Sequence, residues 1–274
     1  MKILIRYTFN FNEKNLSEIE IINLRKACNE YFKKCKKYSI DDEMRLVRLP
    51  INSQEYTILQ EFLKKYDGIV RKICMYDIEY TKKEKEIAEF YLLKCKSIVI
   101  PDSIADIDGY CCSEKTIKNL RFYDYTIKES DMKNRSIAFT SNYRFLVSPM
   151  IKEECERQKI SNIVFEPVYT RKKKLVAYFI ESEDHMSELS SVNNWPLTVK
   201  CNKCNKILYD GTHTVPHPFL IPLNEKQELK DFNSTQEQFT ELRARNYVIS
   251  KKLYQILLNS GAKNLICQPI QFIN

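Results

Sequence analysis

Two stretches of this chain read as one structural unit written twice. Phe145–Val168 (FLVSPMIKEECERQKISNIVFEPV) aligns without a gap on Tyr247–Ile270 (YVISKKLYQILLNSGAKNLICQPI). The identities Ser148/Ser250, Asn162/Asn264 and Pro167/Pro269 stand at punctuation points, and apolar positions match between them. In each stretch a short apolar strand (Leu146-Val147 or Val248-Ile249) meets a serine whose hydroxyl suits a helix N-cap. The helix then places Ile151 and Cys155, or Leu253 and Leu257, on one stripe. A polar turn leads into a second apolar strand, Ile163–Phe165 or Leu265–Cys267, which a proline closes because it has no N–H for an interior ladder. A shorter echo of the strand–serine–helix opening is found at Tyr110–Leu120, where Cys111 and Cys112 occupy apolar strand positions. Units of this kind predict an α+β fold: mixed sheets with flanking helices and an internal strand–helix–strand repeat.

The first hundred residues alternate between strand-like and helix-like segments. Ile3–Phe9, Met44–Leu49 and Ile69–Tyr80 read as strands. Leu16–Lys36 reads as an amphipathic helix, with Ile19, Ile22, Ala27 and Tyr31 near the 3.6-residue period. Ser53 suits the cap of a helix running to Tyr66, and Thr81-Lys82-Lys83-Glu84 has capping-box spacing for a helix reaching about Cys95. The polar stretch from Pro101 to Gly109 is the natural boundary. It separates an N-terminal α/β module, residues 1–100, from a C-terminal α+β module, residues 101–274, which carries the repeated units 145–168 and 247–270.

Composition narrows the function. Four glycines, Gly68, Gly109, Gly211 and Gly261, stand far apart, whereas a dinucleotide fingerprint or P-loop needs them clustered. The N-terminus has too short an apolar run for a signal peptide, and no run of apolar residues is long enough for a membrane span. Without a secretion signal, the ten cysteines read as reduced thiols, so the expected compartment is the cytosol and no membrane partner is expected. The formal net charge of +8 favours an acidic partner. Charge signs alternate along most helices, however, and the one basic run, Arg171–Lys174, reads as a hairpin turn.

The sharpest chemical signal is Cys201-Asn202-Lys203-Cys204, near 201–217, the shape of a zinc knuckle in which two thiolates bind one tetrahedral ion. His213 and His217 are the nearest candidates to complete a structural zinc site. Their spacing is shorter than a finger uses, and Pro216 and Pro218 leave no helix to carry both. A metal-free hairpin is the competing reading, and a redox pair fits less well because the motif does not open a helix. No catalytic residue is assigned. There is no G-x-S-x-G, His185 lies in a polar acidic loop, and Glu153/Glu154 and Asp41/Asp42 are adjacent pairs that point apart. Trp195, Phe219 and Phe232 are either core or a surface anchor for a partner.

Tyr247–Leu257 followed by Asn264–Ile270 is similar to the recurring terminal pattern of bacterial polymorphic-toxin immunity proteins, including the double-CXXCG motif group. Asp231–Phe239 and Tyr80–Glu89 add to the resemblance, which covers about residues 80–272. The resemblance implies a cytosolic antidote that occludes a cognate toxin without catalysis, and the basic balance of the chain then predicts an acidic face on that toxin. Two other classes stay open. A nucleic-acid-binding protein using the knuckle would cluster Lys and Arg on one face. An enzyme whose site assembles from distant residues would show a pocket with convergent polar groups. The knuckle reading expects purified protein to carry one zinc ion per chain, released by Cys201→Ser; the bare hairpin expects no bound metal on elemental analysis.

Overall fold

The computed structural model describes residues 1–11, 16–34, 39–41, 46–66, 70–96, 98–99, 126–140, 144–193, 195, 197–200, 207–209, 218–239 and 245–274. The chain divides into two compact units, Met1–Thr81 and a larger one made of Lys82–Thr214 and Pro218–Asn274. Its class is mixed α+β. Among the described residues, no helix is long and apolar enough to cross a membrane. The echo at 110–120, with Cys111 and Cys112, lies outside the described residues.

In the first unit, β1 (Lys2–Phe11) is a long central strand, flanked antiparallel by β3 (Leu46–Pro50) and β4 (Val70–Glu79), with β2 (Ser39–Asp41) outside β3. Helix α1 (Glu18–Lys34) opens on a capping box. The Ser17 N–H donates to Glu20 Oε2 at 2.8 Å, and the Glu20 N–H donates to Ser17 Oγ at 3.4 Å. Ser53 caps α2 (Gln54–Lys65) as its position predicts, accepting the Tyr56 N–H at 3.2 Å. Both helices give the core residues three, four or seven apart: Leu24 and Tyr31 from α1, Leu59 and Leu63 from α2, over Val47 and Leu49 of β3. The apolar period of α1 is corrected accordingly. Leu24, Cys28 and Tyr31 form the buried stripe, while Ile19 and Ile22 are exposed.

The second unit runs α3 (Lys82–Ile87), β5 (Phe90–Leu92), β6 (Ile98–Val99), α4 (Glu129–Met132), β7 (Ile137–Thr140), β8 (Phe145–Val147), α5 (Pro149–Arg157), β9 (Ile163–Tyr169) and β10 (Leu175–Ser182). There follow α6 (Ser190–Asn193), β11 (Leu197–Lys200), β12 (Ile207–Tyr209), β13 (Leu220–Pro222), a 3-10 turn (Leu223–Glu228), β14 (Phe232–Ser234), β15 (Gln238–Phe239), β16 (Tyr247–Ser250), α7 (Lys251–Asn259), β17 (Gln268–Pro269) and β18 (Gln271–Ile273). Helix α3 is shorter than its capping signal predicts. It stops at Ile87 because Tyr91, Leu92 and Leu93 are all buried, which a strand covered on both faces permits and a helix does not.

Two sheets dominate this unit, in the orders β6-β7-β8-β10-β9 and β14-β16-β5-β17. Their registers coincide. Val147 lies opposite Ile137 on one side and Tyr178 on the other, as Ile249 lies opposite Phe232 and Tyr91. Pro167 faces Tyr178 as Pro269 faces Tyr91. Ile98 runs parallel beside Phe139 at the edge of the first sheet, and His185 forms a parallel bridge to Ser234 at the edge of the second. Phe145 and Val147, like Tyr247 and Ile249, point into one core shared with α5 and α7. Leu146 and Val248, between them, belong to separate clusters on the outer faces.

The helices match at both ends. Ser148 and Ser250 are N-caps with φ/ψ of −68/158° and −68/161°. At the C-terminus, Ile160 N–H reaches Cys155 O and Lys159 N–H reaches Glu156 O, as Ala262 N–H reaches Leu257 O and Gly261 N–H reaches Leu258 O. This is the Schellman pattern, and its left-handed residue is Lys159 (φ 53°) in one helix and Gly261 (φ 77°) in the other.

Two expectations are corrected. Ser250 Oγ accepts the Leu253 N–H at 3.2 Å, but Ser148 Oγ is buried with no hydrogen-bond partner among the described residues, and the corresponding Ile151 N–H bonds the Ser148 carbonyl. Pro167 does not end β9, which continues to Tyr169; as an edge strand, β9 tolerates a residue without a donor.

The left-handed positions give a paired prediction. No atom lies within 4 Å of a Cβ built on Gly261, so Gly261→Ala meets only backbone strain. Thermal unfolding should show Gly261→Ala destabilised by about 1 kcal/mol and Lys159→Gly stabilised by up to about 1 kcal/mol.

Candidate functional site

The residues with the clearest metal signal, Cys201, Cys204, His213 and His217, lie outside the described residues. Among the described residues, no group of three or more His, Cys, Asp or Glu side chains is placed to hold a metal ion. The aromatic candidates are core. Trp195, Phe219 and Phe232 are buried, the first two in a cluster where the Trp195 ring meets Phe219 at 5.7 Å and Phe239 at 4.8 Å. Arg171–Lys174 forms the turn between β9 and β10, closed by the Thr170 N–H to Lys174 O bond at 2.8 Å.

Thiol chemistry is damped by burial. It pushes Cys155 up to about 12, with Glu154 adding to it, and Cys267 up to about 11. Both thiols stay protonated and act as small apolar residues within the shared core.

The most concentrated polar features are a buried charge cluster and an open groove. Arg144 sits at the start of β8 with its guanidinium 2.6 Å from Glu166 Oε2 and 2.9 Å from Glu181 Oε1, lying 3.7 Å over the Phe179 ring. Desolvation alone would lower its pKa; the Glu181 and Glu166 carboxylates outweigh that and raise it. The Tyr247 hydroxyl donates to the remaining Glu181 oxygen at 3.1 Å, and burial, followed by the Glu181 charge, raises its pKa. Every member is hydrogen-bonded to another, which makes this a structural tie between the two sheets.

The groove, about 600 Å³, opens where the segment after β10 crosses to β14. One wall is Asp184–Ser187. His185 Nδ1 is 2.6 Å from Ser234 Oγ, and the Met186 N–H donates to Ser234 O at 2.8 Å. The other wall is the 3-10 turn with Glu225 and Glu228, continuing to Lys230. Ser187 Oγ donates to Glu225 Oε2 at 2.8 Å and links the walls. Leu189 and Ile221 make an apolar floor, and Asn233 is fixed there by hydrogen bonds to both main-chain groups of Lys230. The carboxylates of Asp184 and Glu228 have no hydrogen bond or ion pair among the described residues. Ser234 is buried in a strand, so its contact with His185 fastens the loop to the sheet and presents no nucleophile. Sequence reading places His185 in an exposed loop, and it is exposed; its alignment with Ser234 and the turn at 223–228 carries no local signature.

No family model matches the sequence, and no curated protein matches it.

Next to the groove, Glu237 is buried. Its Oε1 accepts the Leu189 N–H, and its Oε2 has no partner among the described residues. Burial raises its pKa above the ordinary 4.5. The sign follows: the folded state binds this proton more tightly than the unfolded chain, so the stabilisation is complete below the ordinary value and is lost as pH rises through the folded one. Glu237→Gln should therefore match the wild type in acid and exceed it at neutral pH by about 1 kcal/mol, measured by chemical denaturation across the pH range.

Proposed function

We propose that residues 145–168 and 247–270 are two copies of one strand–helix–strand unit, and that the chain is a cytosolic antidote that binds and occludes a cognate bacterial toxin. The observation that carries the reading is where the immunity-protein pattern falls. Tyr247–Leu257 and Asn264–Ile270 form β16, α7 and β17, and most apolar members of the pattern (Tyr247, Val248, Ile249, Leu253, Ile256, Leu257, Cys267 and Ile270) are buried, with Tyr254 and Leu265 half-buried and Ile266 exposed. A pattern held in the core specifies a scaffold. Target-specific residues then belong on the surface, as an inhibitor that works by shape and charge complementarity requires. The coincident registers of the two large sheets and the matched helix caps support the duplication.

An enzyme reading expects convergent polar groups in a pocket. The groove has polar groups, but its histidine is bonded to a serine that is itself buried. The surplus of positive charge, +8, favours a toxin with an acidic face.

The test is co-purification with the C-terminal domain of the protein encoded by the neighbouring upstream gene. A stoichiometric complex that protects cells expressing that domain, with association slowed by added salt, is expected. Absence of binding with protein folded by circular dichroism would overturn the reading.

A further inference from the structure

Among the described residues, β4 (Val70–Glu79) has one unpaired edge, and that edge is ten residues long. Strand β1 pairs with the other edge over its whole length. The far side of the same sheet ends in β2, which at three residues is too short to template another strand. A long edge is different, because it offers a full row of main-chain donors and acceptors.

The sequence of β4 is complementary to itself. Positions equally distant from Cys74 carry Ile73 and Met75, Lys72 and Tyr76, Arg71 and Asp77, and Val70 and Ile78. When a second β4 runs antiparallel across a two-fold axis at Cys74, each of these residues lies directly opposite its counterpart in the other copy. Arg71 then faces Asp77 twice, Ile73 faces Met75, Val70 faces Ile78, and no like charges meet. Charged residues on an edge ordinarily deter pairing; here they cancel only when the partner is the same strand.

The register also keeps the layers in place. Through β1, Cys74 and Tyr76 stand at the level of Val47 and Leu49, which face the core beneath α1 and α2. By the alternation of a strand, positions 71, 73, 75 and 77 belong to the other face, with Glu79. Pairing about Cys74 sets even positions against even and odd against odd, so both copies carry their helices on one side and the two sheets join into one. A pairing centred on Met75 would instead set Asp77 opposite Ile73 and draw Glu79 toward Arg71, away from Arg48, which it meets at 3.1 Å.

We infer that β4 is a self-recognition edge, through which two copies of this chain pair antiparallel about Cys74 in a two-fold dimer. This does not depend on the antidote reading, whose pattern lies in the second unit. The test is sedimentation equilibrium of the full chain, with hydrogen exchange followed across residues 70–79. Wild-type protein is expected to dimerise, and the amides of β4 to become more protected as its concentration rises. Arg71→Asp should raise the dimer dissociation constant at least about tenfold, since both symmetry-related charge pairs turn repulsive. Adding Asp77→Arg to it should restore association. A wild-type chain that stays monomeric up to about 1 mM would overturn the proposal, as would a dimer whose β4 amides gain no protection. So would a dimer indifferent to Arg71→Asp, or a double variant that stays monomeric while its circular dichroism matches the wild type.

Discussion

Two asparagines hold the larger unit together, each reaching into the other's sheet. Asn162, in the turn after α5, donates from its amide to Ser182 Oγ at 2.9 Å and to the main-chain oxygen of Phe232 at 2.8 Å. Asn264, in the turn after α7, donates to Cys95 Sγ at 2.9 Å and to the main-chain oxygen of Ile137 at 2.8 Å. Ser182 ends β10 and Cys95 lies just beyond β5, at matching places, while Phe232 and Ile137 begin the matching strands β14 and β7. Each amide therefore joins the end of a strand in its own sheet to the first residue of a strand in the other. An Nδ2 group has two donors, and both are used. Taking away either side chain would strand a half-buried carbonyl on the opposite sheet, so the cost would fall on both halves at once. The neighbouring contacts follow the same reciprocal plan: Ser136 Oγ donates to the Ser260 carbonyl, and Asp231 Oδ2 accepts the Ser161 N–H at 3.1 Å.

Buried polar groups fix register in the same places. The Thr140 N–H reaches the Arg144 carbonyl and its Oγ1 accepts the Arg144 N–H; Thr235 does the same with Asn246. Both threonines are fully buried at the mouths of the β7–β8 and β14–β16 connections. A slip of one residue in either pair would leave a threonine hydroxyl in the core without its amide, while moving Leu146 or Val248 to the wrong face. The apolar pattern permits these pairings and the threonines select among them.

Much of this was legible in the sequence because it is local. The alternation of Phe145, Leu146 and Val147, and of Tyr247, Val248 and Ile249, is the period of a strand with both faces covered, and the serine and the post-helical turn mark helix ends within a few residues. The three identities between the stretches each turned out to hold a backbone position: serine the N-cap, asparagine the cross-sheet tie, proline the place opposite a tyrosine. What could not be read is the strand between β16 and β17. Phe90–Leu92 lies far upstream, and its capping-box neighbour argued for a longer helix; only pairing with residues of the C-terminal half makes a strand the better use of three consecutive buried side chains. The groove was hidden for the same reason. Asp184, His185 and Glu228 form no motif, and they meet only because Met186 and Ser234 pair at a sheet edge.

That edge also explains how a rigid scaffold leaves room for specialisation. The crossing segment is fixed beside β14 by a main-chain bond, Met186 N–H to Ser234 O, with the His185 Nδ1 contact to Ser234 Oγ added to it. At the matching edge the parallel pairing of Ile98 with Phe139 is likewise a backbone ladder. Side chains there can change from apolar to polar without disturbing the asparagine ties or the shared core, which lies on the inner faces around Ile137, Phe232, Leu253 and Ile256. The same independence holds at the other end of these strands, where Arg144, set in a cage of two carboxylates and a phenyl ring, occupies the place that Asn246 holds in the second sheet. The bonds that each threonine makes with the main chain of this residue through its N–H and as an acceptor are matched in both, so this pairing is kept across a change from a buried guanidinium to an amide. In this way amide and carbonyl groups set the pairing of the sheets, while the outward side chains at the sheet edges are released from that task and differ between the two.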